Sequence, residues 1–323
     1  MTLRSPGVML HTDGAGAAAE ILRAAHPDLD LHHCDSYAGL PAALEATGAE
    51  VVYSVRFAGS AGFPRDALVN APAVRWVSVG GSGTDHLMPW DSGRLTVTNA
   101  AGVASDMMAE YVLGAILSFT LNLRGFARAQ KERSWLPGRV RPVAGQVLLI
   151  IGLGHTGRAL AARARALGMT VIGLRARPEA TENVDEVHGV EALPRLLPRA
   201  DFVAVCVPLL PSTRGLLGPA EIAAMKPGAV VVDVSRGGVV DGTALAAALE
   251  EGRIAGAALD VFETEPLPSD HPFWGMENVI LTPHCSSVHD GWERKAVEMF
   301  AENLGRYRRG EPLRNIVNPE RGY

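Results

Sequence analysis

Three polar side chains in the second half of the chain follow apolar runs that are typical of buried strands. They are Arg236 after VVVDVS, Glu265 after AALDVFET and His284 after NVILTP. Ligands bind beyond the carboxyl ends of strands in open parallel sheets. A histidine exchanges protons near neutral pH, a carboxylate on its far ring nitrogen fixes the tautomer, and an arginine fork holds a carboxylate. Each is weak evidence alone, since the chain has ten histidines and 27 arginines, but together they indicate a catalytic site.

A glycine motif stands where a strand leads into a helix. The strand VLLII is followed by Gly152-Leu153-Gly154-His155-Thr156-Gly157 and then by an alanine-rich stretch. Gly152 permits a tight turn, Gly154 lets the backbone approach a pyrophosphate, and Gly157 lets helix and strand pack closely. The helix N-terminus offers free N–H groups to the anion. These six residues are therefore predicted to bind a dinucleotide, because the strand and helix around the motif make it specific.

The elements that must position these residues form two α/β patterns. The first hundred residues alternate short apolar runs with helical stretches, which predicts a small domain with a parallel sheet. From Gln146 onward, runs with little polar alternation predict a doubly wound sheet that is covered on both faces. A long helix is expected at Asp106–Leu123, and an amphipathic one at Trp292–Arg309.

The length of 323 residues suits two domains with the active site in the cleft between them. We predict a smaller, discontinuous, flavodoxin-like α/β domain that binds substrate and comprises residues 1–101 with 288–323. Residues 102–287 are predicted to form a Rossmann-type dinucleotide-binding domain. About 145 residues precede the glycine motif, which is why the first domain is assigned to the substrate.

Composition argues against several classes of protein. A net charge of −5 and a pI near 6.1 give no overall field for a phosphate backbone, so nucleic acid is not the expected partner. Three distant cysteines without Cys-x-x-Cys spacing indicate reduced thiols in a cytoplasmic protein and no zinc or other metal site. The first residues lack a signal-peptide core, and the longest apolar run, Tyr111–Leu123, is too short for a membrane span.

The glycine motif and the three ordered segments resemble the D-isomer-specific 2-hydroxyacid dehydrogenases over nearly the whole chain, nearest the glyoxylate/hydroxypyruvate reductase branch. The resemblance implies hydride transfer between a nicotinamide cofactor and the 2-carbon of a small 2-oxo or 2-hydroxy acid. His284 would be the proton donor, Glu265 its hydrogen-bonding partner, and Arg236 the group that holds the substrate carboxylate. Reduction of glyoxylate or hydroxypyruvate is the expected direction.

Further positions carry over from the same resemblance. VSVGGSGTDHL is similar to the family's substrate loop, in which the N–H groups of Gly81, Ser82 and Gly83 would face the carboxylate. The residues expected at the cofactor are Pro208 and Thr213 beneath its ring, Val234 and Asp260 at the nicotinamide amide, and Ser286.

Two features bear on assembly. The Asp106–Leu123 helix resembles the family's dimer-forming helix, so a homodimer is expected. Trp135 matches an aromatic that reaches the partner subunit's pocket in some members, and a buried structural tryptophan is the alternative.

The end of the next strand bears on cofactor choice. An NAD site usually places an acid about 20 residues past the glycine motif, to hold the ribose 2′-OH. Here MTVIGL ends in Arg175-Ala176-Arg177-Pro178, and no acid appears before Glu179. Arg175 and Arg177 could pair with a 2′-phosphate. NADP(H) is therefore the preferred cofactor, with NAD(H) as the alternative.

Two other functions stay open on this scaffold. A dinucleotide-sensing corepressor keeps the same three residues but carries long partner-binding extensions, which this chain lacks. Phosphonate dehydrogenases share the scaffold as well. Formate dehydrogenases replace the glutamate, so Glu265 argues against that activity.

Overall fold

The computed structural model describes residues 5–56 and 62–321 of the chain. The chain divides into two compact units, Met1–Val103 with Asp290–Tyr323 and Ala104–His289. These boundaries lie two residues beyond those expected from the sequence. Residues 1–4, 57–61 and 322–323, which fall in the expected substrate domain, lie outside the described residues.

The strands and helices of the described residues alternate along each unit. The strands are β1 (Gly7–His11), β2 (Asp30–Cys34), β3 (Val51–Ser54), β4 (Trp76–Val79), β5 (Thr96–Asn99), β6 (Val147–Ile151), β7 (Thr170–Leu174), β8 (Glu186–His188), β9 (Phe202–Val205), β10 (Val230–Asp233), β11 (Gly256–Leu259) and β12 (Val279–Leu281). The helices are α1 (Ala15–Ala25), α2 (Leu40–Thr47), α3 (Arg65–Val69), α4 (Ser105–Thr120), α5 (Leu123–Lys131), α6 (His155–Ala166), α7 (Leu193–Leu196), α8 (Pro219–Ala224), α9 (Gly242–Glu250) and α10 (Trp292–Arg309). Short 3-10 helices cover Asp85–Leu87, Val190–Ala192, Leu197–Arg199 and Pro272–Gly275.

The smaller unit is built on a parallel sheet of order β2-β1-β3-β4-β5. This is the flavodoxin-like order, as predicted. Alternate residues of β1 point to opposite faces: Val8 and Leu10 pack in the cluster that includes α1 and α10, whereas Met9 packs in the one that includes α2 and α3. The bounds of α10 match the predicted amphipathic helix, and its Phe300 ring lies 5.2 Å from the ring of Trp76.

The larger unit contains a parallel seven-stranded sheet of order β12-β11-β10-β9-β6-β7-β8. Leu149 and Ile151 of β6 pack in a cluster with α7, α8 and α9, whereas Leu148 and Ile150 pack with α4 and α6. Burial of both faces explains the continuous apolar runs in the sequence. The strand order reverses between β6 and β9, and ligands of doubly wound sheets bind at such a switch point. The predicted Rossmann-type fold is thereby confirmed.

The predicted helix at Asp106–Leu123 is found as α4, which ends three residues early, and Leu123 is the first residue of the next helix, α5. α4 begins at Ser105, with Ala104 as the N-cap residue, and ends at Thr120. Neither Ser105 nor Asp106 caps the helix with its side chain. Asn122 adopts a left-handed φ of 49°, which stops the helix, and α5 starts at the next residue. Asp106 instead pairs with Arg163 of α6 at 2.9 Å. Within residues 5–56 and 62–321, no helix has both the length and the apolar character needed to cross a membrane.

Candidate active site

The glycine turn lies between β6 and α6, and its packing explains two of its three glycines. Gly152 has a φ of +104°, and a Cβ there would lie 2.7 Å from the carbonyl oxygen of Cys206. A Cβ on Gly157 would lie 2.0 Å from the carbonyl oxygen of Gly152. At Gly154 an added Cβ would meet no heavy atom within 4 Å among the described residues. The space over Gly154 is therefore open, which leaves room for a ligand.

The other three residues of the motif have different surroundings. The side chain of Leu153 is buried against Gly173 of β7, so only its backbone is available to a ligand. His155 and Thr156 form the first turn of α6, and the Thr156 hydroxyl lies 3.6 Å from the sulfur of Met108 in α4. Burial, with the charge of Arg158, lowers the pKa of His155.

Arg236 stands in the loop after β10, where a glycine allows two loops to meet. A Cβ on Gly237 would lie 2.0 Å from the carbonyl carbon and oxygen of Phe262. Only glycine therefore lets the Arg236 loop approach the loop that carries Glu265. The Arg236 guanidinium donates to the carbonyl oxygen of Ser235 at 2.8 Å, which orients the side chain. The role of Gly237 was missed from the sequence, although the Arg-Gly-Gly run was a visible signal.

His284 and Glu265 form a hydrogen-bonded pair. Nδ1 of His284 lies 2.8 Å from Oε2 of Glu265, and Oε1 of Glu265 accepts the N–H of Phe262 at 3.0 Å. Burial opposes ionisation of the glutamate. The hydrogen bonds from His284 and Phe262, together with the charges of His284 and Arg236, outweigh burial, and the pKa of Glu265 is lowered. The carboxylate is therefore suited to accept a proton-bearing Nδ1, which leaves Nε2 for another partner.

The turn that carries His284 is held by Asp260, at the end of β11. Oδ1 of Asp260 accepts the Thr282 hydroxyl at 2.6 Å and the N–H of Cys285 at 2.9 Å, and Oδ2 accepts the N–H of Ser286 at 2.9 Å. His284 has a φ of +53° inside this turn, which is uncommon for a residue with a side chain. Asp260 and Ser286 were expected at the cofactor. In the structure, the hydrogen bond between them helps to fix the turn that carries His284.

A second buried aspartate lies at the end of the adjacent strand. Asp233 of β10 accepts both the N–H and the hydroxyl of Ser235, at 2.9 and 2.5 Å. Burial raises the pKa of Asp233 to about 7, against the opposing effect of these hydrogen bonds. Val234 follows it and is buried, with its N–H donated to Val205 at 3.3 Å. Asp233 carried no signal in the sequence that set it apart from other acids.

The loop after β9 is braced by one of its predicted residues. The Thr213 hydroxyl donates to the carbonyl oxygen of Pro208 at 2.6 Å and accepts the N–H of Leu210 at 2.8 Å. Thr213 therefore fixes the shape of the loop that begins at Pro208. This loop follows the strand on the other side of the switch point from the glycine turn.

The end of β7 carries the two arginines. Arg175 pairs with Glu179 at 2.5 Å, and its side chain is 26% exposed. Arg177 is exposed. From the sequence, Glu179 was expected to lie beyond the site. A sequence does not show that the turn after β7 brings Glu179 back to Arg175.

Two predicted groups remain, one in each unit. In the loop after β4 of the smaller unit, Gly81 and Ser82 are exposed and Gly83 is half-buried. The side-chain amide of Asn99 donates to the carbonyl oxygen of Ser82 at 2.7 Å. In the larger unit, Trp135 is 94% exposed, so the buried alternative is wrong.

The fold and these loops define a dinucleotide-dependent oxidoreductase of the Rossmann type, and comparison with known proteins identifies the family. The model of the D-isomer specific 2-hydroxyacid dehydrogenase NAD binding domain matches residues 113–286. Glyoxylate reductase from Korarchaeum cryptofilum is 36% identical over 260 residues, which are 77% of this chain and 78% of that protein. The chain belongs to the D-isomer specific 2-hydroxyacid dehydrogenase family.

Two further relatives show the range of the likeness. D-3-phosphoglycerate dehydrogenase from Methanocaldococcus jannaschii is 36% identical over 262 residues, 79% of this chain, and the match spans about half (49%) of the length of that protein. A D-isomer specific 2-hydroxyacid dehydrogenase from Xanthobacter autotrophicus, solved in complex with NADPH and MES, has a TM-score of 0.86 and 35% identity. The match covers 99% of this chain and 100% of that one.

Proposed function

We propose that this protein reduces a small 2-oxo acid, glyoxylate or hydroxypyruvate, with NADPH as the preferred cofactor. The observation that carries the proposal is the His284–Glu265 pair at 2.8 Å, with Arg236 on the adjoining loop, in a chain of this family. The glyoxylate reductase relative supports the substrate class.

The glycine turn fits the dinucleotide. Gly152 is required by its positive φ and its approach to Cys206, and Gly157 by its approach to Gly152. Gly154, in contrast, has open space above it and the first turn of α6 behind it. A pyrophosphate at that point would meet backbone N–H groups and the positive end of a helix. When bound, the reduced nicotinamide supplies the hydride.

The chain's own residues supply the proton and the binding of the acid. Reduction places negative charge on the 2-oxygen, and His284 donates a proton to it from Nε2. Glu265 holds Nδ1–H and stabilises the positive imidazolium before transfer. Arg236 binds the substrate carboxylate in a planar, two-bonded arrangement. We assign Gly81, Ser82 and Gly83 to the same carboxylate on the basis of the resemblance.

The experiment is an assay of 2-oxo acids with NADPH and with NADH, followed by absorbance of the reduced cofactor. The panel holds glyoxylate, hydroxypyruvate, pyruvate, a phosphorylated 2-oxo acid and an aldehyde without a carboxylate. Glyoxylate or hydroxypyruvate should have the highest kcat/KM, and His284→Ala should lower kcat by about 10²–10⁴-fold. Absence of turnover with every 2-oxo acid, or a His284→Ala variant with more than half the native rate, contradicts the proposal.

The NADPH preference rests on the end of β7. The described structure has two arginines there, and Glu179 holds Arg175. A 2′-phosphate would replace Glu179 as the partner of Arg175, and exposed ion pairs of this kind contribute only about 0–1 kcal/mol. Glu179 therefore weakens the preference without abolishing it. The NADPH complex of the Xanthobacter relative supports the assignment.

The cofactor test compares kcat/KM for NADPH and NADH in four proteins. Arg175→Ala/Arg177→Ala should lose at least about tenfold with NADPH and little with NADH, because charge-assisted hydrogen bonds to the phosphate are lost. Glu179→Gln should gain up to about fivefold with NADPH only. Arg253→Ala, which removes an exposed arginine paired with Glu251, is the matched control. Equal losses with both cofactors show that the arginines do not bind the phosphate.

We also propose that the protein is a homodimer. Residues 131–142 are all exposed, and they include the apolar side chains of Trp135, Leu136 and Val140. An exposed apolar segment of this kind suits burial against a second copy. Sedimentation should give a dimer, and Trp135→Ser should weaken it or raise KM. A monomer at assay concentration contradicts this part of the proposal.

A further inference from the structure

A chain of hydrogen bonds runs from α4 to the turn that carries His284. The Tyr111 hydroxyl lies 2.6 Å from the Thr282 hydroxyl, although the two residues are 171 positions apart. The Thr282 hydroxyl lies 2.6 Å from Oδ1 of Asp260, which also accepts the N–H of Cys285. The backbone continues the chain, because the N–H of His284 donates to the carbonyl oxygen of Thr282 at 3.1 Å.

The direction of these bonds follows from the donors available. Two backbone N–H groups and one hydroxyl converge on the two oxygens of Asp260, so the carboxylate accepts all three. Thr282 has a single hydroxyl proton and gives it to Asp260. Tyr111 must therefore donate to Thr282. Burial raises the pKa of Tyr111 to about 12, so the phenol keeps that proton throughout the working range of the protein.

The turn between these anchors is the one that needs support. His284 has a left-handed φ of +53°, and a conformation of this kind costs energy unless its surroundings maintain it. The hydrogen bonds from Thr282 on one side and from Cys285 and Ser286 on the other all end on Asp260. Loss of one anchor would let the turn relax and would move the imidazole away from Glu265.

The place of the network in the chain is also informative. α4 begins one residue after the chain enters the larger unit at Ala104, and Ser286 stands three residues before it leaves at His289. The network therefore ties together the segments that begin and end the unit. Asp260 is hydrogen-bonded to both segments: to Tyr111 through the Thr282 hydroxyl, and directly to the N–H of Ser286.

We propose that Tyr111 is a positioning residue for His284, acting through Thr282 and Asp260 to hold the catalytic turn in its strained conformation. This inference rests on the proposed role of His284 as proton donor. Tyr111 itself makes no contact with substrate in this mechanism. Its effect should appear in the chemical step, with little change in the binding of the cofactor.

The test is steady-state kinetics of the Tyr111→Phe variant, which lacks one oxygen atom and keeps the ring. A neutral hydrogen bond contributes about 0.5–1.5 kcal/mol, so kcat for reduction should fall about 2- to 10-fold, with KM for the cofactor unchanged. Thr282→Val should lower kcat further, because it also removes a donor from Asp260, and Thr282→Ser should restore the rate. Tyr111→Phe/Thr282→Val should be no slower than Thr282→Val alone, since both changes break the same connection.

The matched control is Tyr307→Phe. It removes another part-buried tyrosine hydroxyl, one that donates to Glu50 in the smaller unit, and it should leave kcat unchanged. A second readout is the NMR spectrum of ¹⁵N-histidine-labelled protein, in which the His284 resonances should shift in Tyr111→Phe and not in Tyr307→Phe.

The outcomes separate this inference from the proposed function. If His284→Ala is inactive while Tyr111→Phe keeps native kcat and native His284 resonances, the positioning role is wrong and the proton donor stands. An equal loss of kcat in Tyr111→Phe and Tyr307→Phe, with equal loss of thermal stability, also overturns it. If His284→Ala is fully active, the proposed function itself fails.

Discussion

Replacement of Glu265 by glutamine tests whether the carboxylate does more than hold the histidine ring in place. The side chain keeps its size, but one of its two oxygens becomes an NH₂ group. In the structure, both oxygens accept hydrogen bonds, one from the N–H of Phe262 and one from Nδ1–H of His284. Glutamine can accept only one of them.

The favoured arrangement keeps the bond from Phe262 and turns the NH₂ group toward His284. The reverse places two N–H donors face to face, which costs about 1–3 kcal/mol for the unsatisfied donor. In the favoured arrangement Nδ1 of His284 must accept, so the imidazole is held neutral. The positive form, which is the stronger acid, loses the carboxylate that stabilised it.

The size of the effect follows from the bond that is lost. A hydrogen bond to a charged group contributes about 1.5–3 kcal/mol, and the side chains here are about a third exposed, which favours the lower half of that range. At about 1.4 kcal/mol for each factor of ten, kcat for reduction should fall by about 10- to 30-fold in Glu265→Gln. KM for the cofactor should change little.

The assay is kcat for reduction measured from pH 5 to pH 9 in the native protein and in Glu265→Gln. Because the neutral imidazole is favoured in the variant, the decline of the rate with rising pH should begin at a lower pH. Glu265→Asp, which keeps the charge but shortens the side chain, separates charge from distance and should keep the native shape of the profile. The reasoning would be refuted if kcat of Glu265→Gln were lower at every pH but declined at the same pH as in the native protein. A kcat within twofold of native would refute it as well.

Two further predictions concern the loops around the site. Gly237→Ala should lower kcat/KM by about 100-fold, because its Cβ would lie 2.0 Å from the carbonyl of Phe262 and the catalytic loops would have to separate by about 1 Å. Gly275→Ala is the control, since an added Cβ there meets no described heavy atom within 4 Å. Similar values of kcat/KM in the two variants would contradict the prediction. Asp233→Asn should stabilise the protein more at pH 8 than at pH 4. The folded pKa of Asp233, about 7, lies above its unfolded value, so the free energy of unfolding of the native protein should fall by about 4 kcal/mol as pH rises from about 4 to 7. Urea unfolding at pH 4, 6 and 8 measures this, and a difference between the two proteins that does not grow with pH would show that Asp233 has an ordinary pKa.

The sequence by itself determined the class of the fold and the chemistry that its residues could perform. Runs such as VLLII in β6 and VVV in β10 are apolar on both faces, and this pattern is local, so it indicates a covered parallel sheet without knowledge of the strand order. The amphipathic period of Trp292–Arg309 predicted the bounds of α10 in the same way. The glycine motif is also largely local, because Gly152 adopts a positive φ and a Cβ on Gly157 would meet the carbonyl oxygen of Gly152 within the same turn.

Only the tertiary structure decided how distant segments meet. His284 and Glu265 are 19 residues apart in the chain, and their 2.8 Å hydrogen bond depends on the order β10-β11-β12 and on the absence of a Cβ at Gly237. The bond between Tyr111 and Thr282 joins residues 171 positions apart, and no local pattern marks either as a partner of the other. Propensity and periodicity act over a few residues, whereas these contacts arise from the packing of whole strands and helices, so information about them is spread over the chain and cannot be read at the residues themselves.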